Sequence, residues 1–257
     1  MTQSSGPDRS YNLPSAMSTL TTVSGRPQID TRDWRALARC LDSTLLRPET
    51  TAAQVADLCR EAAHFGFATV FVHPCSVPLA ASLLAGTGVR TGSPVGFPMG
   101  ASTTSVKRYE AAELLRLGAQ ELDMVMNIGA LKSRDRARVE LDIRGVVEIV
   151  HGSGALLKVI LETCLLTLDE KIVACELAVA AGADFVKTST GLAGSGATAE
   201  DVALMRGVVG ERAGVKAAGG IRTLADALAM IEAGANRLGT STAARIVREL
   251  GAPEFQH

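Results

Sequence analysis

Four times along the chain an Ala/Leu-rich helical run stops at a glycine and a short apolar run begins: EAAHFGFATVFV, LLRLGAQELDMVM, AVAAGADFVKTS and MIEAGANRLGTS. Gly66, Gly118, Gly182 and Gly234 stand just past a helix end, where the backbone turns left-handed and glycine is least penalised. Each joint is therefore a helix-to-strand connection, and its recurrence implies repeated βα units.

Filling the gaps between joints gives eight predicted strands, at roughly Cys40–Ser43, Thr69–His73, Arg90–Gly96, Glu121–Asn127, Leu156–Glu162, Asp184–Ser189, Gly214–Ala218 and Arg237–Gly239. Helical patterns lie between nearly all of them, among them Thr103–Leu117, Arg134–His151, Leu168–Ala181, Ala199–Val209 and Leu224–Glu232. Several strands are apolar on both faces, as parallel strands covered by helices are. Eight βα units in about 220 residues predict an α/β fold, a single-domain TIM (β/α)8 barrel. The architectural alternative is a doubly wound open sheet, and against it no G-x-G-x-x-G follows the first strand.

Composition narrows the partners. With 47% hydrophobic and 21% charged residues among 257, the chain has the make-up of a soluble globular protein. A net charge of -1 offers no overall electrostatic case for nucleic acid or an anionic membrane, so neither is expected as a partner. The five cysteines, Cys40, Cys59, Cys75, Cys164 and Cys175, match neither a zinc ribbon nor a C-x-x-C pair and read as reduced thiols of a cytoplasmic protein. Residues 1–28 are rich in Ser, Thr, Pro and Gly and lack the apolar core of a signal peptide. They are expected to form a disordered leader, with Met17 as an alternative start and the barrel domain over 29–257.

A barrel of this type places its chemistry at the C-terminal ends of its strands. Three predicted strands carry a charged residue there: Asp123 in ELDMVMN, Lys187 in DFVKTSTG and Lys216 in GVKAAGG. Lys158, in LLKVILET, comes early in its strand and is expected nearer the bottom or middle of the barrel, below the other two in rank. One buried lysine reads equally well as an ion pair or a snorkelling side chain. Two on neighbouring strands, with an aspartate on a third, suit a chemical role better. Burial and a nearby cation both disfavour the ammonium form and lower a lysine pKa by up to ~3–5 units. A neutral amine near pH 7 attacks carbonyls and makes a Schiff base. The expectation is that Asp123 holds Lys216 charged and that Lys216 keeps Lys187 partly neutral. The plainer alternatives are a structural carboxylate for Asp123 and a phosphate contact for Lys216.

Three glycine-rich loops point to an anion. KAAGGIRT puts Gly219 and Gly220 between strand seven and a helix, and RLGTSTAARI puts Gly239, Ser241 and Thr242 between strand eight and a helix. Backbone N–H groups at helix N-termini bind anions, and these two loops are where such barrels often hold phosphate. STGLAGSGAT, opening with Thr190 and Gly191, adds a third loop after strand six. Alone, each glycine is a turn residue; together they predict a phosphorylated substrate. Asp42, Ser43 and Thr44 at the end of strand one offer a third side of the pocket. His73 ends strand two and stays outside the predicted site. His64, His151 and His257 are scattered, so no metal site is predicted.

Read in order from about residue 38 to 246, LDSTLL, VGFPMGASTTSVKRYEA, GAQELDMVMNIGAL, LKVILET, GADFVKTSTG, VKAAGGIRT and RLGTS resemble the deoxyribose-phosphate aldolase family. The resemblance implies a class I aldolase without metal or other cofactor. Its reaction is the reversible cleavage of 2-deoxy-D-ribose 5-phosphate to acetaldehyde and D-glyceraldehyde 3-phosphate, in deoxyribonucleoside catabolism. By resemblance, Lys187 is the Schiff-base lysine, and Lys216 is the second lysine that perturbs it and joins the proton relay. Asp123 is the aspartate that shuttles protons with an ordered water. Gly219, Gly220 and Arg222 match the phosphate loop after strand seven, and Gly239, Ser241 and Thr242 the one after strand eight. Asp42 and Thr190 match residues lining the substrate channel, with Gly191 beside Thr190. Leu192 stands where some relatives carry a further lysine, which shifts phosphate binding toward backbone N–H groups. Thr242 replaces a serine of many relatives and keeps the hydroxyl. The alternatives are a Schiff-base aldolase of the same fold for another phosphorylated sugar, and a catalytically silent sugar-phosphate-binding barrel. Exposed helix faces allow a homodimer.

Overall fold

A computed structural model describes residues 29–255, so the predicted leader over 1–28 and the last two residues lie outside the described residues. Eight parallel strands close into a barrel in sequence order: β1 (Leu41–Leu45), β2 (Thr69–Val72), β3 (Arg90–Val95), β4 (Glu121–Val125), β5 (Leu156–Ile160), β6 (Phe185–Lys187), β7 (Gly214–Ala218) and β8 (Arg237–Thr240). β1 pairs with both β2 and β8, which closes the cylinder. All eight predicted strands are present. β6 is shorter than its predicted span because the neighbouring β5 kinks at Glu162, whose φ is 58°, and the regular ladder stops there.

The helices return the chain over the outside. Ala199–Val209 and Leu224–Glu232 have the predicted bounds, and Thr104–Arg116, Arg136–Gly152 and Leu168–Ala180 differ by one or two residues at an end. Threonines start several of them. Thr51 and Thr167 each accept the N–H of the third helical residue, whose Gln54 or Glu170 side chain reaches back, a reciprocal cap that satisfies two otherwise orphaned donors. Three of the four repeated joints share one geometry, while at the first the N–H groups of Gly66 and Phe67 both bond to the Ala62 carbonyl. Gly118 N–H bonds to the Leu115 carbonyl and Ala119 N–H to that of Leu114; Gly182–Ala183 and Gly234–Ala235 repeat both offsets. The residue after each glycine is buried, so the joint also delivers the first core side chain of the next strand. Gly154–Ala155, ahead of β5, makes the same pair of bonds and is a further joint of this kind.

The apolar residues lie between sheet and helices. Val70, Val72, Leu122, Met124, Leu157, Val159, Val186, Val215 and Leu238 are all at 0% exposure in one contiguous core. The barrel interior is filled differently. Asp42, Glu121, Asp123, Lys158, Lys187, Lys216 and Arg237 are in mutual contact there, beside the rings of Phe71 and Phe185. Glycines make room for the rings: a Cβ at Gly92 would lie 2.6 Å from the Phe71 ring, and one at Gly214 would overlap Phe185. Among the described residues no helix is long and apolar enough to cross a membrane. All five cysteines are free thiols, and burial pushes Cys40 and Cys59 up to about 11 and Cys175 up to about 12.

Because the added methyl has nowhere to go without moving Phe71, Gly92→Ala should destabilise the barrel by about 1–3 kcal/mol. Chemical denaturation of the two proteins checks this; equal midpoints would show that the interior yields freely.

Candidate active site

The register of the sheet assembles the charged residues. Lys187 on β6 is the direct partner of Lys216 on β7, and Asp123 on β4 is that of Lys158 on β5. Side chains of neighbouring partners point the same way, here into the barrel. Asp123 Oδ2 accepts from Lys187 Nζ at 2.8 Å and from Lys216 Nζ at 2.7 Å, and Asp123 Oδ1 accepts from Lys158 Nζ at 3.2 Å. One buried carboxylate thus faces three ammonium groups. The ring of Phe71 lies under them, with its centroid 3.9 Å from Lys216 Nζ and 4.7 Å from Lys158 Nζ, an arrangement in which the π face meets positive charge.

A second tier of charges supports the first. Lys158 Nζ contacts Glu121 Oε2 at 2.5 Å, and Lys216 Nζ contacts Asp42 Oδ2 at 2.5 Å. Arg237 spans both acids, at 2.7 Å from Asp42 and 3.1 Å from Glu121, and Arg90 reaches Glu121 at 3.2 Å. Burial alone would raise the Asp123 carboxyl, but the Lys158, Lys187 and Lys216 ammonium groups hold it well below the usual carboxylate range. Burial works against the charge on Lys158 too, and Asp123, Glu121 and Asp42 outweigh it, so this lysine is raised. At Lys216 burial wins over Asp123 and Asp42, helped by the neighbouring Lys187 and Lys158, and the amine is lowered to about 8. Lys158, Lys187, Lys216 and Arg237 thus share the carboxylates of Asp42, Glu121 and Asp123 in one cluster, and Lys216 is the amine pushed down.

The rim is built from the loops after β6, β7 and β8. Thr190 N–H points at both oxygens of the Glu162 carboxylate at 3.3 Å, and its hydroxyl donates to Oε2 at 2.5 Å. Gly191 and Gly196 press against Gly219, and a Cβ on Gly196 would overlap the Gly219 carbonyl. The helix N-terminus after β7 is already filled by protein carboxylates. Asp226 Oδ2 accepts from the N–H groups of Arg222 and Thr223, and Glu249 Oε2 from that of Leu224. The N–H groups of Arg222, Thr223 and Leu224 are therefore already engaged, whereas Gly219 and Gly220 precede them in the loop.

Other predicted site residues take different places from those expected. Asp42 is fully buried beneath Lys216 and does not line an open channel, because Lys216 and Arg237 draw its carboxylate inward. Gly239 lies against the Lys216 stem, where a Cβ would sit 3.1 Å from Cε. The Thr242 hydroxyl bonds the Arg222 carbonyl and, with Thr240, ties the two rim loops together. Ser241 and Arg222 are exposed at the rim. Lys158 lies in the barrel interior as its early strand position predicts. Glu121, Arg237, Phe71 and Glu162 join these residues without belonging to the predicted site. The signal for Glu121 was its i, i+2 spacing from Asp123, which puts both acids on one face of the strand.

The chain matches the family pattern described as DeoC/LacD family aldolase over residues 37–247. It belongs to that family. Among its relatives is the deoxyribose-phosphate aldolase of Thermococcus kodakarensis (strain ATCC BAA-918 / JCM 12380 / KOD1), 55% identical over 222 residues, 86% of this chain and 98% of the relative. The deoxyribose-phosphate aldolase of Thermoanaerobacter sp. (strain X514) is 53% identical over 214 residues, 83% of this chain and 96% of the relative. The deoxyribose phosphate aldolase of Aeropyrum pernix, described as a unique tetramer, superposes with a TM-score of 0.80 at 35% identity, covering 84% of this chain and 92% of that one. In this DeoC/LacD aldolase, the three charged residues singled out at strand ends meet at one carboxylate oxygen.

Lys216 links stability to pH with a definite sign. The unfolded lysine keeps its proton up to its ordinary 10.5, whereas the folded one releases it near 8, so unfolding takes up a proton in between. Stability should therefore rise with pH from 8 to 10, by about 2 kcal/mol. Urea titrations across this range should show the rise in the parent protein and not in Lys216→Met; parallel curves for the two proteins would refute the assignment.

Proposed function

We propose that this chain cleaves 2-deoxy-D-ribose 5-phosphate reversibly to acetaldehyde and D-glyceraldehyde 3-phosphate, with Lys187 as the Schiff-base lysine. The observation that carries the reading is the shared acceptor: Lys187 and Lys216 both donate to Asp123 Oδ2. A proton can pass from one amine to the other through that oxygen without crossing solvent. Lys187 thereby becomes a free amine as Lys216 takes the charge, and an amine lowered to about 8 exchanges protons readily near neutral pH.

The Lys187 nitrogen attacks C1 of the open-chain aldehyde, and loss of water leaves a protonated imine. The C3 hydroxyl then gives its proton through a water to the Asp123 carboxylate, the C2–C3 bond breaks, and its electron pair moves into the imine to form an enamine. C3 leaves as the aldehyde of glyceraldehyde 3-phosphate. Protonation of the enamine at C2, through Lys216 and Asp123, regenerates the imine, and water releases acetaldehyde and free Lys187. The electron sink is the iminium itself, so the proposed mechanism assigns no step to a metal or other cofactor. Gly219 and Gly220, with Arg222 and Ser241 at the rim, are the proposed phosphate end. Anchoring the phosphate there fixes the distance from anion to C1 and orients the reacting carbon over Lys187.

Cytoplasmic catabolism of deoxyribonucleosides is the setting that suits this reaction. The tetramer described for the Aeropyrum relative makes self-association of this chain a reasonable reading, with a homodimer the simplest form.

Borohydride added with 2-deoxyribose 5-phosphate should leave a reduced adduct on Lys187, read by peptide mass spectrometry. Lys187→Ala should lose activity by more than about 10³-fold with its circular dichroism unchanged. An adduct on Lys216 or Lys158 would move the nucleophile and refute its assignment to Lys187.

A further inference from the structure

The kink that ends β5 performs a task that the catalytic lysines do not. Leu161 N–H bonds to the Lys187 carbonyl at 2.9 Å, and Thr163 N–H bonds to the Thr188 carbonyl at 3.0 Å. In an undisturbed parallel ladder, alternate N–H groups reach carbonyls two residues apart on the neighbouring strand. Here those carbonyls are adjacent, so Glu162 is an extra residue, a bulge set against the strand that carries Lys187. Its backbone is left-handed, with φ 58° and ψ 63°, a conformation that side-chain-bearing residues rarely adopt. Bulges of this kind re-aim a side chain. Glu162, at 3% exposure, is turned onto Thr190.

The environment of that carboxylate is unusual for the interior of this barrel. Asp42, Glu121 and Asp123 each meet two or more cations. Glu162 has, among the described residues, no cation within ion-pairing distance; its carboxylate accepts from the N–H and hydroxyl of Thr190. A buried carboxylate held only by neutral donors grips them strongly, since these are its sole replacement for water. The Thr190 hydroxyl passes the constraint on. While donating to Glu162 it accepts from Leu192 N–H at 3.1 Å, closing the turn at Gly191. That turn lies against Gly219: a Cβ on Gly219 would be 3.4 Å from Gly191 Cα and 2.9 Å from Gly196 Cα. The chain of contacts runs from the bulge, through Thr190, to the loop after β7.

Resting on the reading of Gly219 and Gly220 as the phosphate end, we infer that Glu162 is a positioning residue for phosphate recognition. It acts through Thr190 to hold the loop after β6 against Gly219, and it takes no part in proton transfer at the imine. Selectivity for the phosphorylated over the unphosphorylated sugar then depends on this strained glutamate.

The test compares 2-deoxyribose 5-phosphate with 2-deoxyribose in Glu162→Gln, which keeps an acceptor oxygen, and Glu162→Met, which keeps length but accepts nothing. The phosphate preference, taken as the ratio of the two kcat/KM values, should fall by about tenfold in Glu162→Met and by less in Glu162→Gln, through KM and not kcat. The losses from Glu162→Met and Thr190→Val should not add in the double variant, since both open the same clamp. An equal fall in kcat for both sugars would make Glu162 part of the chemistry and overturn the inference. An unchanged ratio in both variants, with circular dichroism intact, would overturn it as well. If the parent protein forms no borohydride adduct, the aldolase reading fails; if it does and the variants keep their phosphate preference, only the role of Glu162 fails. Should Glu162→Met not fold, Glu162→Gln against Thr190→Val makes the same comparison.

Discussion

Asp123 Oδ2 accepts from two ammonium groups at once, and the rest of the barrel is arranged to make that tolerable. A carboxylate taken out of water loses several kcal/mol of hydration, and so does each cation beside it. The loss is offset only when every charge meets partners at close range. Asp123 alone could not serve Lys158, Lys187 and Lys216. Asp42 and Glu121 stand below to share them, Arg237 bridges those two acids, and Phe71 turns its ring face to the amines. The apolar side chains are accordingly displaced to the outer faces of the strands, where the helices cover them.

This division of labour differs from a barrel filled with branched aliphatic layers. The charged residues themselves fill the interior, so ion pairing and packing are drawn from one set of side chains. The amines have little room to move as a result. Lys187 is 5% exposed with its amine held on the fully buried Asp123, while the loops after β6 and β7 lock through glycines that allow backbone to touch backbone. The placement of the rim loops and that of the buried amines are then two properties of one packed interior.

Much of this was legible in the sequence, and the reasons are local. The helix–glycine–strand joint is a short-range signal, and it located the strands and their order. Lys187, Lys216 and Asp123 stood out because charge within an apolar strand is costly and therefore has a partner or a task. What escaped notice depends on neighbours distant in the chain. Arg237 looks like a strand-opening arginine until β8 closes on β1 and brings it to Asp42. Glu162 looks like the last residue of a strand, because nothing in LKVILET marks a left-handed backbone. Asp226 and Glu249 filling the helix terminus after β7 could not be read from KAAGGIRT alone, since Glu249 comes from the final helix. The direction of the Lys216 displacement likewise required knowing how completely that residue is enclosed.

The tie between Asp42 and Arg237 joins the first strand to the last. Until β8 is in place, Asp42 and Glu121 lack that guanidinium, and a barrel of seven strands leaves each of these carboxylates without one of its close partners. Partial barrels are thus penalised from within, and the penalty is lifted only when the cylinder closes. The ionic interior consequently acts as a completeness requirement on folding. During synthesis the chain gains little by settling early, and the buried charges favour assembly as a single cooperative event.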